Sequence, residues 1–120
     1  PELNVAFIEV DAGWVPFMKQ PLDNRVIRKA SGCDLRHQEL PSAVIERHFY
    51  FSYITDHFAI ANRHHVGVER ILWSSDFPHS GSDWPNSAQM SHAVFANVPP
   101  AERDLILSGN AQRLYKFSGQ

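Results

Sequence analysis

The chain has 120 residues, 43% of them hydrophobic and 20% charged, with a formal net charge of -2. That balance excludes a disordered chain or a membrane span, and it gives neither nucleic acid nor an acidic membrane surface a broad attraction. A single cysteine, Cys33, excludes an internal disulfide and any cysteine-based zinc knuckle, so a cytoplasmic setting is the expectation.

The chain opens on Pro1 with no initiator Met, no charged leader and no apolar signal core, which reads as a cut in a longer chain. Residues 3–8, LNVAFI, form a short apolar run rich in strand-forming types, and it predicts a buried strand whose carboxyl end is Glu9. From Trp14 the spacing turns helical, with Pro16 in a first turn and Leu22, Val26 and Ile27 following at helical spacing. Pro21 removes a donor inside that helix, so a break is expected between Gln20 and Leu22. Residues 30–41 read as a loop, with one further helical turn from Pro41 to Glu46.

Residues 48–54, HFYFSYI, carry the strongest strand propensity in the chain. Thr55 or Asp56 then caps a helix expected from His57 to Val66, which stops at Gly67. A third buried strand lies near 70–75, where Ile71-Leu72-Trp73 gives way to Ser74, Ser75 and Asp76, and the stop signals Pro78, Gly81 and Pro85 follow. Residues 87–96 read as a helix. Pro99-Pro100 starts another, which Gly109-Asn110 ends before a last short helix through Tyr115.

Strands alternating with helices, each strand an apolar run without alternation, predict an α/β fold with a parallel sheet. In such folds the carboxyl ends of the strands share one mouth, where ligands gather. Those ends supply Glu9 and Asp11, then Thr55, Asp56 and His57, then Asp76 and His79, an oxygen and nitrogen set of the kind that holds a divalent metal. Trp84 follows in the same irregular loop. An Asp at a strand end equally serves to cap the next turn through its own side chain. His64 and His65 are adjacent and face different sides of a helix, and His37, His48 and His92 read as structural. Phe49, Tyr50, Phe51 and Tyr53 read as core rather than as a stacking platform. No HExxH, GxSxG, GxGxxG or P-loop occurs, so zincin, nucleophile-elbow and nucleotide-phosphate chemistry lack their residues. Cys33 has no base fixed beside it and reads as an inert thiol.

The segment SSDFPHSGSDWPNS at 74–87 resembles the SDYPHxDxxWP segment on the last barrel strand of the amidohydrolase-related family. These are metal-dependent (β/α)8 hydrolases and decarboxylases, of which aminocarboxymuconate-semialdehyde decarboxylase is a member. PELNVAFIEVDAGWVPFM resembles that family's sixth-strand segment, and GNAQRLYKF its closing helix. The resemblance covers nearly the whole chain in order. It implies that residues 1–120 are the carboxy-terminal part of one barrel domain, its last three βα units.

The resemblance further implies that Asp76 is a metal ligand beside the metal-bound water, able to take that water's proton, and that His79 contacts substrate, with Glu9 and Trp84 beside it. The metal is a divalent cation, with zinc the expectation. Two departures stand out: Glu9 replaces the histidine that many family members carry, and Ser80 replaces an acidic residue. Only one ligand of the family's set has a counterpart here, so the expected function is a segment of a metal-dependent hydrolase or decarboxylase acting on a small organic substrate, inactive as this piece. Its expected partner is the remainder of the barrel or a second copy, which would cover the open strand edges. The alternative is a non-catalytic α/β interaction or structural module.

Overall fold

The computed structural model describes residues 3–29 and 39–117. Three parallel strands, β1 (Val5–Phe7), β2 (Phe49–Tyr53) and β3 (Ile71–Trp73), form one sheet in the order β1-β2-β3. Val5 stands opposite Phe49 and Phe51 opposite Ile71. The strands are shorter than the predicted 3–8, 48–54 and 70–75. His48 belongs to the last turn of a helix, and both Glu9 and Asp76 take positive φ, which no strand continues. The ladder does run one bond past Trp73, from Ser74 N to Tyr53 O at 2.9 Å.

Side chains alternate across the sheet, and Phe51, Tyr53 and Ile71 fall on the face that the helices cover. They form the core with Val15, Ile45, Ile60, Val66, Phe95 and Ile106. Of the aromatic run of β2 expected as core, Phe51 and Tyr53 lie in this cluster, Phe49 packs against it partly buried, and Tyr50 is buried on the other face. Residues Tyr50, Ser52 and Leu72 occupy the opposite face, and the Arg70 guanidinium lies 4.7 Å over the Tyr50 ring.

Helix α1 (Val15–Lys29) runs through Pro21 without the expected break. Pro21 is exposed, and so is Phe17, whose carbonyl loses its donor, so water can take the missing bond. Tertiary packing then holds the helix together. Buried Lys19 donates from Nζ to Glu46 Oε1 at 3.0 Å, His65 O at 2.9 Å and Val66 O at 3.1 Å. One ammonium thus joins α1 to α2 (Pro41–His48) and closes the carboxyl end of α4 (Arg63–Val66). The loop expected at 30–41, which includes Cys33 and His37, lies outside the described residues except for its last three.

The single helix expected over 57–66 is two, α3 (His57–Ala61) and α4, divided at Asn62. Asn62 Nδ2 bonds back to Phe58 O at 3.0 Å, a local alternative to the helical ladder. Gly67 ends α4 at φ 112°, where a Cβ would be strained. Helix α5 (Ser87–Val94) is two residues shorter than predicted. At the end of the chain, α6 (Pro100–Asp104) passes through a π turn, Leu105–Gly109, directly into α7 (Asn110–Tyr115). Gly109 is helical at φ -59°, ψ -39°, so the expected stop at Gly109-Asn110 does not occur. Instead Asn110 is fully buried and its amide bonds Val68 O at 2.8 Å and Ile71 O at 2.9 Å.

Candidate active site

All three strands run the same way, so their carboxyl ends lie on one side of the sheet. Each of the two edge strands leaves it through a carboxylate residue in the left-handed region, Glu9 at φ 58° and Asp76 at φ 54°, with Asp11 at φ 57° two residues after Glu9. Non-glycine residues rarely adopt this conformation, and it is costly enough to persist only where the surroundings determine it.

Asp76 is the centre of the arrangement. Its side chain is 12% exposed and its Oδ2 lies 2.9 Å from His79 Nδ1, while the His79 ring is 70% exposed. The turn between them closes through His79 N to Asp76 O at 2.8 Å. Glu9 arrives from the other edge of the sheet. Its carboxyl is raised above the ordinary carboxylate range, first by a side-chain hydrogen bond to Asp76, which only the protonated acid can donate. Residual desolvation and the Asp76 charge act in the same direction, and His79 opposes them. Ser52 holds Glu9 in place, since its hydroxyl accepts the Glu9 N–H at 2.8 Å. Sequence reading passed over Ser52. The available signal was a small hydroxyl residue in the middle of an aromatic strand, where only a specific partner keeps it from being costly to bury.

The wider ligand set drawn from the three strand ends is not assembled. Among the described residues, no group of three His, Cys, Asp or Glu side chains is placed to hold a metal ion. Asp56 is occupied elsewhere, because Oδ1 caps α3 through Ala59 N at 2.8 Å, and Oδ2 accepts Ala12 N at 2.9 Å and Gly13 N at 2.8 Å. Both of its oxygens thereby tie the loop after β1 to the turn after β2. Asp11 is exposed, its carboxyl raised by desolvation and then by the Asp56 charge. Thr55 and His57 are exposed at the start of α3.

Trp84 is 61% exposed and packs edge-on against Phe77, ring centres 5.5 Å apart. With Trp73, Ser87, His92 and Arg103 it lines a cavity of about 530 Å³ on the α5 and α6 side. Of the other histidines, His64 approaches Glu102 at 3.7 Å and His48 Nδ1 lies 2.8 Å from Leu3 O, both at a distance from Asp76 in the chain and in partners that suit a structural role. No helix among the described residues is long and apolar enough to cross a membrane.

The fold is similar to part of solved decarboxylase structures. The 5-carboxyvanillate decarboxylase LigW from Sphingomonas paucimobilis superposes with a TM-score of 0.75 at 20% identity, covering 97% of this chain and 34% of that one. The IDCase of Metarhizium anisopliae in its apo form superposes with a TM-score of 0.61 at 16% identity, covering 95% of this chain and 34% of that one. The chain therefore spans about a third of the length of these structures, and its three parallel strands correspond to part of a TIM barrel. No curated protein sequence matches it. A family model described as amidohydrolase matches residues 15–117, most of the chain, and the chain belongs to that family.

Proposed function

We propose that this chain is the part of a metal-dependent amidohydrolase-family enzyme that supplies Asp76 to the active centre, and that the enzyme hydrolyses or decarboxylates a small organic substrate. The observation that supports this most is the nearly buried Asp76 carboxylate at the end of β3, held at 2.9 Å by His79 and approached by Glu9 from the far edge of the sheet. Asp76 is the residue that would hold the divalent metal, zinc in this reading, and the described residues contain no second and third ligand beside it. Those ligands are assigned to other strands of the barrel. Once bound, such an ion supplies Lewis acidity and lowers the pKa of a water molecule.

The chain's own residues have separable roles in this reading. Asp76 accepts a proton from the attacking group through the carboxylate oxygen that His79 leaves open. His79, oriented through Nδ1, has Nε2 left for the substrate. Glu9 and Trp84 flank the substrate, the first as a hydrogen-bonding group and the second, with Phe77, as an apolar wall.

The test is metal analysis and turnover of the full-length protein. Asp76→Asn is expected to lower metal content and to reduce kcat about 10²–10⁴-fold, the usual weight of a proton acceptor. His79→Gln is expected to leave metal content unchanged and raise KM. Undiminished metal and turnover in Asp76→Asn would remove Asp76 from this role. A second reading, a non-catalytic α/β module, draws on the same lack of a three-ligand group among the described residues. A full-length protein that binds no metal, with or without the substitution, would select it.

A further inference from the structure

Among the described residues, two buried side-chain atoms have no hydrogen-bond partner, Asn110 Oδ1 and Tyr53 Oη. The Asn110 amide is already fixed by its two donated bonds. Tyr53 is different, because its ring is only 2% exposed in the middle of the core and nothing holds its hydroxyl. That hydroxyl is a donor, since burial, and then the charges of Asp56 and Asp83, hold the phenol well above its usual range. Buried hydroxyls without a partner are rare, and each calls for an acceptor.

Next to Tyr53 is a small cavity lined by Thr55, Trp73, Asp83, Ser91 and Phe95, which leaves about 10 Å³ for the centre of a water molecule. That is room for one water and for nothing larger. Asp83 brings a half-buried carboxylate to its wall, with one oxygen accepting the Ser87 hydroxyl. A carboxylate has lone pairs for several donors, so it can take another.

We propose that a single internal water occupies this cavity, accepting from Tyr53 Oη and donating to the Asp83 carboxylate. The bridge joins the buried end of β2 to the irregular segment at 74–86, which carries Asp76, His79 and Trp84. Tyr53 is thus a positioning residue for that segment, acting through solvent held inside the core.

A crystal structure of the full-length protein at water-resolving resolution is expected to show one density peak within hydrogen-bond distance of both Tyr53 Oη and an Asp83 oxygen. A missing peak, or a direct bond from Tyr53 Oη to Asp83, would overturn the proposal. The second measurement is a double-mutant cycle by thermal melting with Tyr53→Phe and Asp83→Ala, in which loss of the Ser87 bond cancels. Tyr53→Phe is expected to lower Tm by about 2–4 °C, and at least half of that drop is expected to vanish in the Asp83→Ala background. Strict additivity, or a Tyr53→Phe protein that melts at or above the parent, would also overturn it.

Discussion

Asp56 shows how a residue of catalytic type becomes structural. Its two oxygens accept the N–H groups of Ala12, Gly13 and Ala59, and so join two loops that are 43 residues apart in the chain. Asp56→Ala is expected to destabilise the protein by about 2–4 kcal/mol, through the lost helix cap and the amides left bare. Denaturant midpoints measure this, and a loss under about 0.5 kcal/mol would show that water replaces the carboxylate. Gly13 is part of the same contact. A Cβ there would lie 3.0 Å from the Phe58 ring and 3.2 Å from an Asp56 oxygen, so a side chain would crowd both and glycine lets the two loops approach without that shift.

Asp11 makes the stability of the fold depend on pH. Burial and the Asp56 charge make the folded chain hold the Asp11 proton more tightly than the unfolded chain does. Its contribution to stability is therefore full below the ordinary value of 3.8 and is lost as pH rises through the raised value. Asp11→Asn, which tolerates the left-handed backbone, is expected to flatten the stability profile over that window. An unchanged profile from chemical denaturation at stepped pH would remove Asp11 as its source.

At the scale of elements, the last helical segment is the instructive one. A π turn accommodates an extra residue within the helix, and such turns are rare and frequent at functional sites. Here the Leu105–Gly109 turn brings Asn110 under β3, where its amide donates to Ile71 O of the strand and to Val68 O of the short 3₁₀ turn (Val68–Arg70) before it. Asn110→Ala is expected to cost about 2–3 kcal/mol, since Val68 O and Ile71 O lose their donor in a buried setting. Asp76 lies five residues beyond Ile71 on the same strand and its exit, so the full-length variant is also expected to lose activity. Unfolding by urea and turnover below the transition separate the two effects. The uninterrupted α1 follows the same logic: Lys19 and the core contacts of Val15 outweigh the local cost of Pro21.

The whole molecule is more extended than an isolated domain of its length. Its radius of gyration is 16.3 Å, with extents of 53 × 30 × 30 Å, against about 13.6 Å expected for 120 compact residues. Among the described residues, β1 and β3 each pair on one side only, and Phe7, Trp14, Met18, Leu22, Val44 and Phe49 line an apolar groove of about 610 Å³ beside β1. Open parallel edges and apolar grooves of this size favour association. We expect the 120-residue chain, expressed alone, to scatter light above the monomer mass, and Phe7→Lys to reduce that association. A monodisperse monomer would count against the proposal that the rest of the barrel, or a second copy, completes this sheet.

The order of strands and helices, the aromatic core strand and the convergence of Glu9 and Asp76 on one side were legible in the sequence, because apolar runs, stop residues and a family motif are local signals. Strand existence is written in such runs, while strand length is not: His48 went to a helix and Glu9 to a left-handed turn because of their neighbours. The sequence likewise could not assign Asp56, since a carboxylate beside a strand end is equally a ligand or a cap until the loop that it meets is in place. Tertiary structure alone decided that Pro21 stays inside a helix, that Gly109 does not end one and that Asn110 sits under β3. In each case, contacts between residues distant in the chain outweighed a local preference worth a few kcal/mol at most.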